Sequence, residues 1–227
     1  WTSPLRPSVE DVTLFRKRMQ QRILLVGYTP ELLGMASHVV DIRSPETINQ
    51  PELATFIATG GTFITSDWFS FGDNGQKDFD VIMGDGSLVI VGNVGAEPTP
   101  TTIFDIFRKK LTKEREAKMV FRVYLKTLPQ EPLGKILLSK GENLSAFKWR
   151  LATCMANPQG FVRLGELAEA LRKHWPDADT THYGANSDGL YWFPTFEQLP
   201  YQGRISDVDV PSSYPLAERC PVVTWTF

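Results

Sequence analysis

The chain has 227 residues, 42% of them hydrophobic and 11% aromatic, enough to bury a sizeable core as one large domain. Its charges nearly cancel, with 24 Lys and Arg against 26 Asp and Glu for a net charge of −2. That excludes the basic excess of a strong nonspecific nucleic-acid binder, though not a local patch.

No apolar run approaches the ~20 residues needed to span a bilayer, so the expectation is a cytoplasmic protein with no membrane partner. Cys154 and Cys220 stand far apart without metal-ligand spacing, and His38, His174 and His182 show no paired spacing. Two reduced thiols and no metal site are expected.

In chain order, Pro7-Ser8-Val9-Glu10-Asp11 reads as a helix start, with Ser8 as cap, acids in the first turn, and Val9, Leu14, Phe15 and Met19 as the apolar stripe. Arg22-Ile23-Leu24-Leu25-Val26 is a short apolar run ending at Gly27, the pattern of a central parallel strand covered on both faces. Thr29-Pro30-Glu31 then opens a helix with Pro30 at the first helical position. A second strand, Ser37 to Val40, stops at Asp41, and Ser44-Pro45-Glu46 repeats the cap-and-proline device. Strands follow at Gly61 to Thr65, which ends at Ser66-Asp67, and at Phe79 to Met83. A helix over about Thr101 to Lys110 precedes a fifth strand, Ala117 to Tyr124. This alternation of strand and helix is the mark of a doubly wound sheet.

Beyond residue 124 the pattern changes. Asn143 to Met155 and Leu164 to Lys173 carry helical periodicity. Gly184 to Gly203 reads as irregular chain around one strand near Leu190 to Phe193, and Pro221 to Phe227 alternates like a terminal strand.

Open α/β sheets bind ligands outside the carboxyl ends of their strands. Three clusters stand there: Gly27-Tyr28-Thr29-Pro30-Glu31, Ser66-Asp67-Trp68, and Gly84-Asp85-Gly86-Ser87. Asp41 adds a carboxylate able to accept hydrogen bonds from two ribose hydroxyls, although Arg43 stands close enough to pair with it instead. Asp67 would accept from an exocyclic amine beside the Trp68 ring. Taken singly, each cluster also reads as an ordinary turn. The first lacks the Gly-x-Gly-x-x-Gly pattern that lets backbone approach a pyrophosphate, which disfavours NAD or FAD.

In this order the clusters resemble the class I S-adenosylmethionine-dependent methyltransferases. The closest likeness, in Leu25 to Leu32, Asp41 to Glu46, Gly84 to Leu88, Ala146 to Ala152 and Tyr214 to Pro221, is to a bacterial-type branch of that superfamily. The resemblance implies a Rossmann-like α/β fold with a mostly parallel seven-stranded sheet and helices on both faces, its last two strands supplied near residues 190 and 222. It implies one domain over 1–227: an N-terminal helical segment at 1–21, a cofactor-binding half at 22–124 and an acceptor-side half at 125–227. It also implies S-adenosylmethionine as cofactor, held by Gly27, Tyr28, Thr29, Asp41, Ser66, Asp67, Trp68, Asp85, Gly86 and Ser87. The family's Gly-x-Gly-x-Gly is reduced here to Gly27.

The expected partner is a small-molecule methyl acceptor. Asp85, Lys148, Trp149, Arg150, His182, Tyr183, Tyr191 and Trp192 are candidates to position it, and no general base stands out. Trp1 to Phe15 reads either as a lid or as a helix packed against the sheet. Tyr183 to Tyr201 reads as an aromatic acceptor pocket or as core. The rival reading is a protein that keeps this fold without catalysis, as a binding or regulatory partner.

Overall fold

The computed structural model describes residues 6–68, 70–73, 78–93, 100–126, 130–138, 144–180, 188–211 and 220–227. The elements in chain order begin with helix α1 (Val9–Arg16), β1 (Ile23–Val26), α2 (Pro30–Leu33), β2 (His38–Asp41), α3 (Pro45–Ile48), α4 (Pro51–Ala58) and β3 (Thr62–Thr65). Next come β4 (Val81–Asp85), β5 (Ile90–Asn93), α5 (Pro100–Arg108), β6 (Lys118–Arg122), α6 (Leu133–Leu138) and α7 (Leu144–Met155). Last are β7 (Phe161–Arg163), α8 (Leu164–His174), β8 (Gly189–Trp192), β9 (Ile205–Asp209) and β10 (Val222–Thr226). Among the described residues no helix is long and apolar enough to cross a membrane.

Two compact units form. The larger contains Pro7–Leu88, Pro100–Val123 and Pro200–Phe227; the smaller contains Trp1–Arg6, Val89–Thr99 and Tyr124–Leu199.

The larger unit is built on a seven-stranded sheet in the order β3-β2-β1-β4-β6-β10-β9. Neighbours from β3 to β6 pair in parallel, and β10 runs antiparallel to both β6 and β9. All four residues of β1 are buried because that strand is central. Ile23 and Leu25 pack on one face with Leu14 and Phe15 of α1, Leu32 and Leu33 of α2, and Leu53 and Phe56 of α4. Elsewhere in the unit, Phe104 stands edge-on to Trp225 with ring centres 4.9 Å apart, and Phe107 stacks on Phe121 at 6.2 Å. Register makes the strand ends level: Val26 lies opposite Val40 on one side and Gly84 on the other.

Local chemistry sets the helix starts. The Ser8 hydroxyl accepts from the Asp11 N–H at 3.1 Å, and the Asp11 carboxylate accepts from the Ser8 N–H at 2.8 Å, a complete capping box on α1. The Ser44 hydroxyl caps α3 in front of Pro45, and α3 ends at Asn49 in the left-handed conformation. Thr29 occupies the cap position of α2, but its side chain makes no capping bond. Leu14 and Phe15 join the core, so the described part of the N-terminal segment packs on the sheet; residues 1–5 lie outside the described residues.

One expectation is corrected. The strand near residue 190 forms but does not enter the large sheet, where its expected place is taken by Ile205–Asp209. That strand is an edge with a partly exposed, acid-bearing face, so it lacks the apolar run that marks a buried strand. Ile205–Asp209 and Val222–Thr226 thus complete the large sheet.

The smaller unit carries a three-stranded antiparallel sheet, β5-β8-β7, with α6, α7 and α8. Helix α8 buries Leu164, Leu167, Ala168 and Leu171, the stripe expected of a period of 3.6. Tyr124, Trp149, Tyr191 and Phe193 form an aromatic core, with the Tyr124 and Trp149 ring centres 4.2 Å apart and those of Trp149 and Phe193 5.5 Å apart. Cys154 and Cys220 are free thiols.

Candidate functional site

The clusters read from the sequence converge at the carboxyl ends of β1 to β4, all within the larger unit. Gly27 turns the chain out of β1 at φ +79°, a conformation that a side chain would strain. A Cβ built on it would lie 3.5 Å from the Trp68 ring and 3.6 Å from the Ser87 Oγ, so the segments after β1, β3 and β4 meet there. The Ser87 hydroxyl donates to the Val26 carbonyl at 2.5 Å. Gly86, also at positive φ, donates its N–H to the Arg122 carbonyl at 3.1 Å. The Gly27 N–H donates to the Val40 carbonyl at 2.8 Å, and the Ser66 N–H to the Asp41 carbonyl at 3.0 Å. These bonds tie the four strand ends into one rim.

Asp41 sits in the middle of that rim and is buried. Its Oδ2 accepts from the Tyr28 N–H at 2.8 Å and from Arg43 Nη2 at 3.0 Å. Its Oδ1 accepts from the Arg43 N–H at 2.9 Å and from Arg43 Nε at 3.1 Å. Burial pushes the Asp41 pKa up, but the Arg43 side chain, the two backbone N–H groups and the Arg43 charge outweigh it and hold the carboxyl below its ordinary range.

Trp68 lies against the same rim. Its Nε1 is buried and has no hydrogen-bond partner among the described residues. A buried indole N–H normally finds an acceptor, so this donor is suited to a ligand atom. Ser66 Oγ donates to the Asp67 carbonyl at 2.9 Å, and that same carbonyl accepts from the Phe71 N–H at 2.8 Å. The turn after β3 is thereby fixed.

Asp85 is placed differently. Its side chain is 2% exposed and turned onto Arg122, whose Nε lies 2.5 Å from Oδ1. The same guanidinium reaches the Asp11 carboxylate at 3.1 Å, with both of those side chains fully buried. Burial lifts the Asp85 pKa to about 6; Arg122 pulls it the other way, and the Asp11 and Glu31 carboxylates add to the rise. Asp85 therefore belongs to a buried charge cluster beneath the rim, with Gly86 and Ser87 beside the opening. Sequence reasoning missed Arg122. The available signal was a cation inside Met119-Val120-Phe121-Arg122-Val123-Tyr124, since a charge in a buried strand requires a partner.

The other candidate positioning residues lie in the smaller unit. Trp149, Tyr191 and Trp192 are buried, and Arg150 is paired with Glu131, its Nε 3.0 Å from Oε2. The aromatic stretch that read as pocket or core is core from Tyr191 to Phe193. Lys148 is half-buried, and His182 and Tyr183 lie outside the described residues.

No protein-family model and no curated protein matches this sequence. Solved structures do. A provisionally assigned Zn-dependent alcohol dehydrogenase from Rhodobacter sphaeroides aligns over 96% of this chain and 90% of its own, at 14% identity and TM-score 0.60. A provisionally assigned O-methyltransferase from Nostoc punctiforme aligns over 95% of this chain at 11% identity and TM-score 0.54. An O-methyltransferase family protein from Burkholderia thailandensis aligns over 96% at 10% identity and TM-score 0.52. The chain spans about half the length of those two, 54% and 53%. The fold is that of the class I methyltransferases. At these identities the likeness carries architecture, and function has to be argued from the site.

Proposed function

We propose that this protein is an S-adenosylmethionine-dependent methyltransferase acting on a small-molecule acceptor. The observation that carries the reading is the convergence of Gly27, Asp41, Trp68 and Ser87 on one rim at the strand ends of a seven-stranded sheet in which β10 runs antiparallel between β6 and β9. The rim suits an adenosyl group. Its backbone turns sharply at Gly27, where a ligand can approach the main chain. The Trp68 Nε1 offers a buried donor in want of an acceptor. Asp41 offers a carboxylate for ribose hydroxyls once Arg43 yields.

When bound, the cofactor supplies a methyl group on a sulfonium, whose departing thioether is neutral and needs no general acid. The residues of this chain have the task of holding and aligning the reactants and excluding water. Tyr28, Thr29, Ser66, Asp67, Gly86 and Ser87 complete the wall of the proposed site. Asp85, turned onto Arg122, acts through the cluster beneath it.

One observation favours a second reading, a non-catalytic binding or regulatory partner with the same fold. The four hydrogen bonds that Asp41 accepts from Tyr28 and Arg43 leave a ligand no vacant place on it.

Calorimetric titration with S-adenosylmethionine, S-adenosylhomocysteine and NAD separates the two. Micromolar binding of the first two without NAD is expected. Binding of none of them supports the non-catalytic partner, and NAD alone would point to a nicotinamide-binding protein.

A further inference from the structure

We infer that Arg43 is an internal competitor for the ligand site on Asp41, and that binding a vicinal diol exchanges its guanidinium for the two hydroxyls. The inference rests on the adenosyl reading of the rim and adds a residue that sets the site's affinity and its demand for a diol.

A carboxylate has two oxygens with about four lone-pair positions between them. On Asp41 each oxygen accepts two hydrogen bonds, one from backbone and one from the Arg43 side chain. The Arg43 N–H and Nε share Oδ1, and the Tyr28 N–H and Arg43 Nη2 share Oδ2. The backbone pair belongs to the turn after β1 and the exit from β2, so it fixes the plane of the carboxylate. The guanidinium pair is the removable half, because the Arg43 side chain is 44% exposed while that of Asp41 is 7% exposed. If the guanidinium swings into solvent, it vacates one position on each oxygen. A vicinal diol such as ribose presents two O–H donors side by side, one for each vacancy.

The exchange costs little. A surface ion pair contributes about 0–1 kcal/mol, equivalent to up to about a fivefold change in an equilibrium constant. Asp41 itself is buried, but the two O–H donors refill both positions that the exposed guanidinium leaves, so the carboxylate is not stranded. Hydrogen bonds from neutral hydroxyls to a buried carboxylate are individually stronger than that. A ligand with one hydroxyl fills one vacancy and leaves the other open, so the site discriminates diol from monodeoxy sugar.

The test measures the affinity of S-adenosylhomocysteine, adenosine and 2′-deoxyadenosine for wild type, Arg43→Ala and Asp41→Ala, with the Arg43 Nε–H resonance followed by NMR. Arg43→Ala should bind the two diol ligands about two- to fivefold more tightly, with a smaller gain for the 2′-deoxy compound. Asp41→Ala should bind the diols at least about tenfold more weakly. In wild type the Nε–H signal should move towards the solvent-exposed position as ligand is added.

If Arg43→Ala loses affinity as Asp41→Ala does, Arg43 helps to hold the ligand and the inference fails while the adenosyl reading stands. An Nε–H signal unmoved at saturation fails it in the same way. If adenosine gains but S-adenosylhomocysteine is bound no better than adenosine, the exchange stands and the methyltransferase reading loses its support. If no ligand binds any variant, both fall.

Discussion

Arg122 on β6 reaches Asp11 in the first turn of α1, Nη1 to Oδ2 at 3.1 Å, with neither side chain exposed. The same Asp11 oxygen closes the capping box with Ser8, and the same guanidinium holds Asp85 at the end of β4. One buried cation thus joins a helix start to a strand end under the proposed site.

Removing that cation should be costly. Arg122→Met leaves two buried carboxylates facing each other without a counter-charge, and breaking a buried pair from one side destabilises by about 3–5 kcal/mol. Urea denaturation gives the number directly. A loss below about 1 kcal/mol would mean that the cluster is hydrated.

Stability should also depend on pH through Asp85. A carboxyl whose pKa rises to about 6 on folding binds its proton more tightly in the native state than in the unfolded chain. Its contribution is therefore favourable at low pH and is lost as pH climbs from about 4 to about 6. The whole window corresponds to about 3 kcal/mol. Asp85→Asn removes the titrating group, so its stability curve should lack this fall. An identical slope in wild type and variant would reassign it to another group.

The two roles of Asp11 can be separated by mutation. Ser8→Ala removes the cap and the hydroxyl's bond to Asp11 Oδ2 but leaves the Asp11–Arg122 pair in place, and should cost about 1–2 kcal/mol. Asp11→Ala removes the cap and one side of the buried pair and should cost about 3–5 kcal/mol. Equal losses in the two variants would show that Arg122 draws little from Asp11.

In the smaller unit, Lys126 is buried with its ammonium on two carbonyls, Asn157 O at 2.8 Å and Pro158 O at 2.9 Å. Desolvation lowers its pKa. Lys126→Met keeps the apolar stem and strands both acceptors, for an expected loss of about 1–3 kcal/mol. Hydrogen exchange across 153–163 checks whether the loosening is local to that turn.

Much of this was legible in the sequence because strong local signals agreed with the tertiary demand. The apolar run Ile23 to Val26 is a central strand, Ser8 and Ser44 cap their helices, and Gly27 turns at the positive φ that glycine permits. The clusters at Gly27, Asp41, Asp67-Trp68 and Gly86-Ser87 were visible as a group because they follow such runs. What could not be read was pairing across long separations. Arg122 meets Asp11 over 111 positions and Asp85 over 37, and no local pattern encodes either contact. β9 escaped for a related reason. An edge strand with Asp207 and Asp209 on it looks like loop until its partner β10 is known. Arg43 stood close enough to be suspected as a partner for Asp41, but only geometry gives its forked hold on both oxygens.

The position of β10 between β6 and β9 bears on how the molecule assembles. Val120 pairs with Thr224 across a stretch that contains all of the three-stranded sheet's β7 and β8. Such a closure has a high loop-entropy cost and is a slow step in sheet formation. During synthesis β6 emerges long before its partner, with Met119, Val120 and Phe121 lacking cover on that side. The larger sheet is thus completed only after β7 and β8 of the three-stranded sheet have been made, and the interval before Val222–Thr226 arrives leaves β6 open to mispairing.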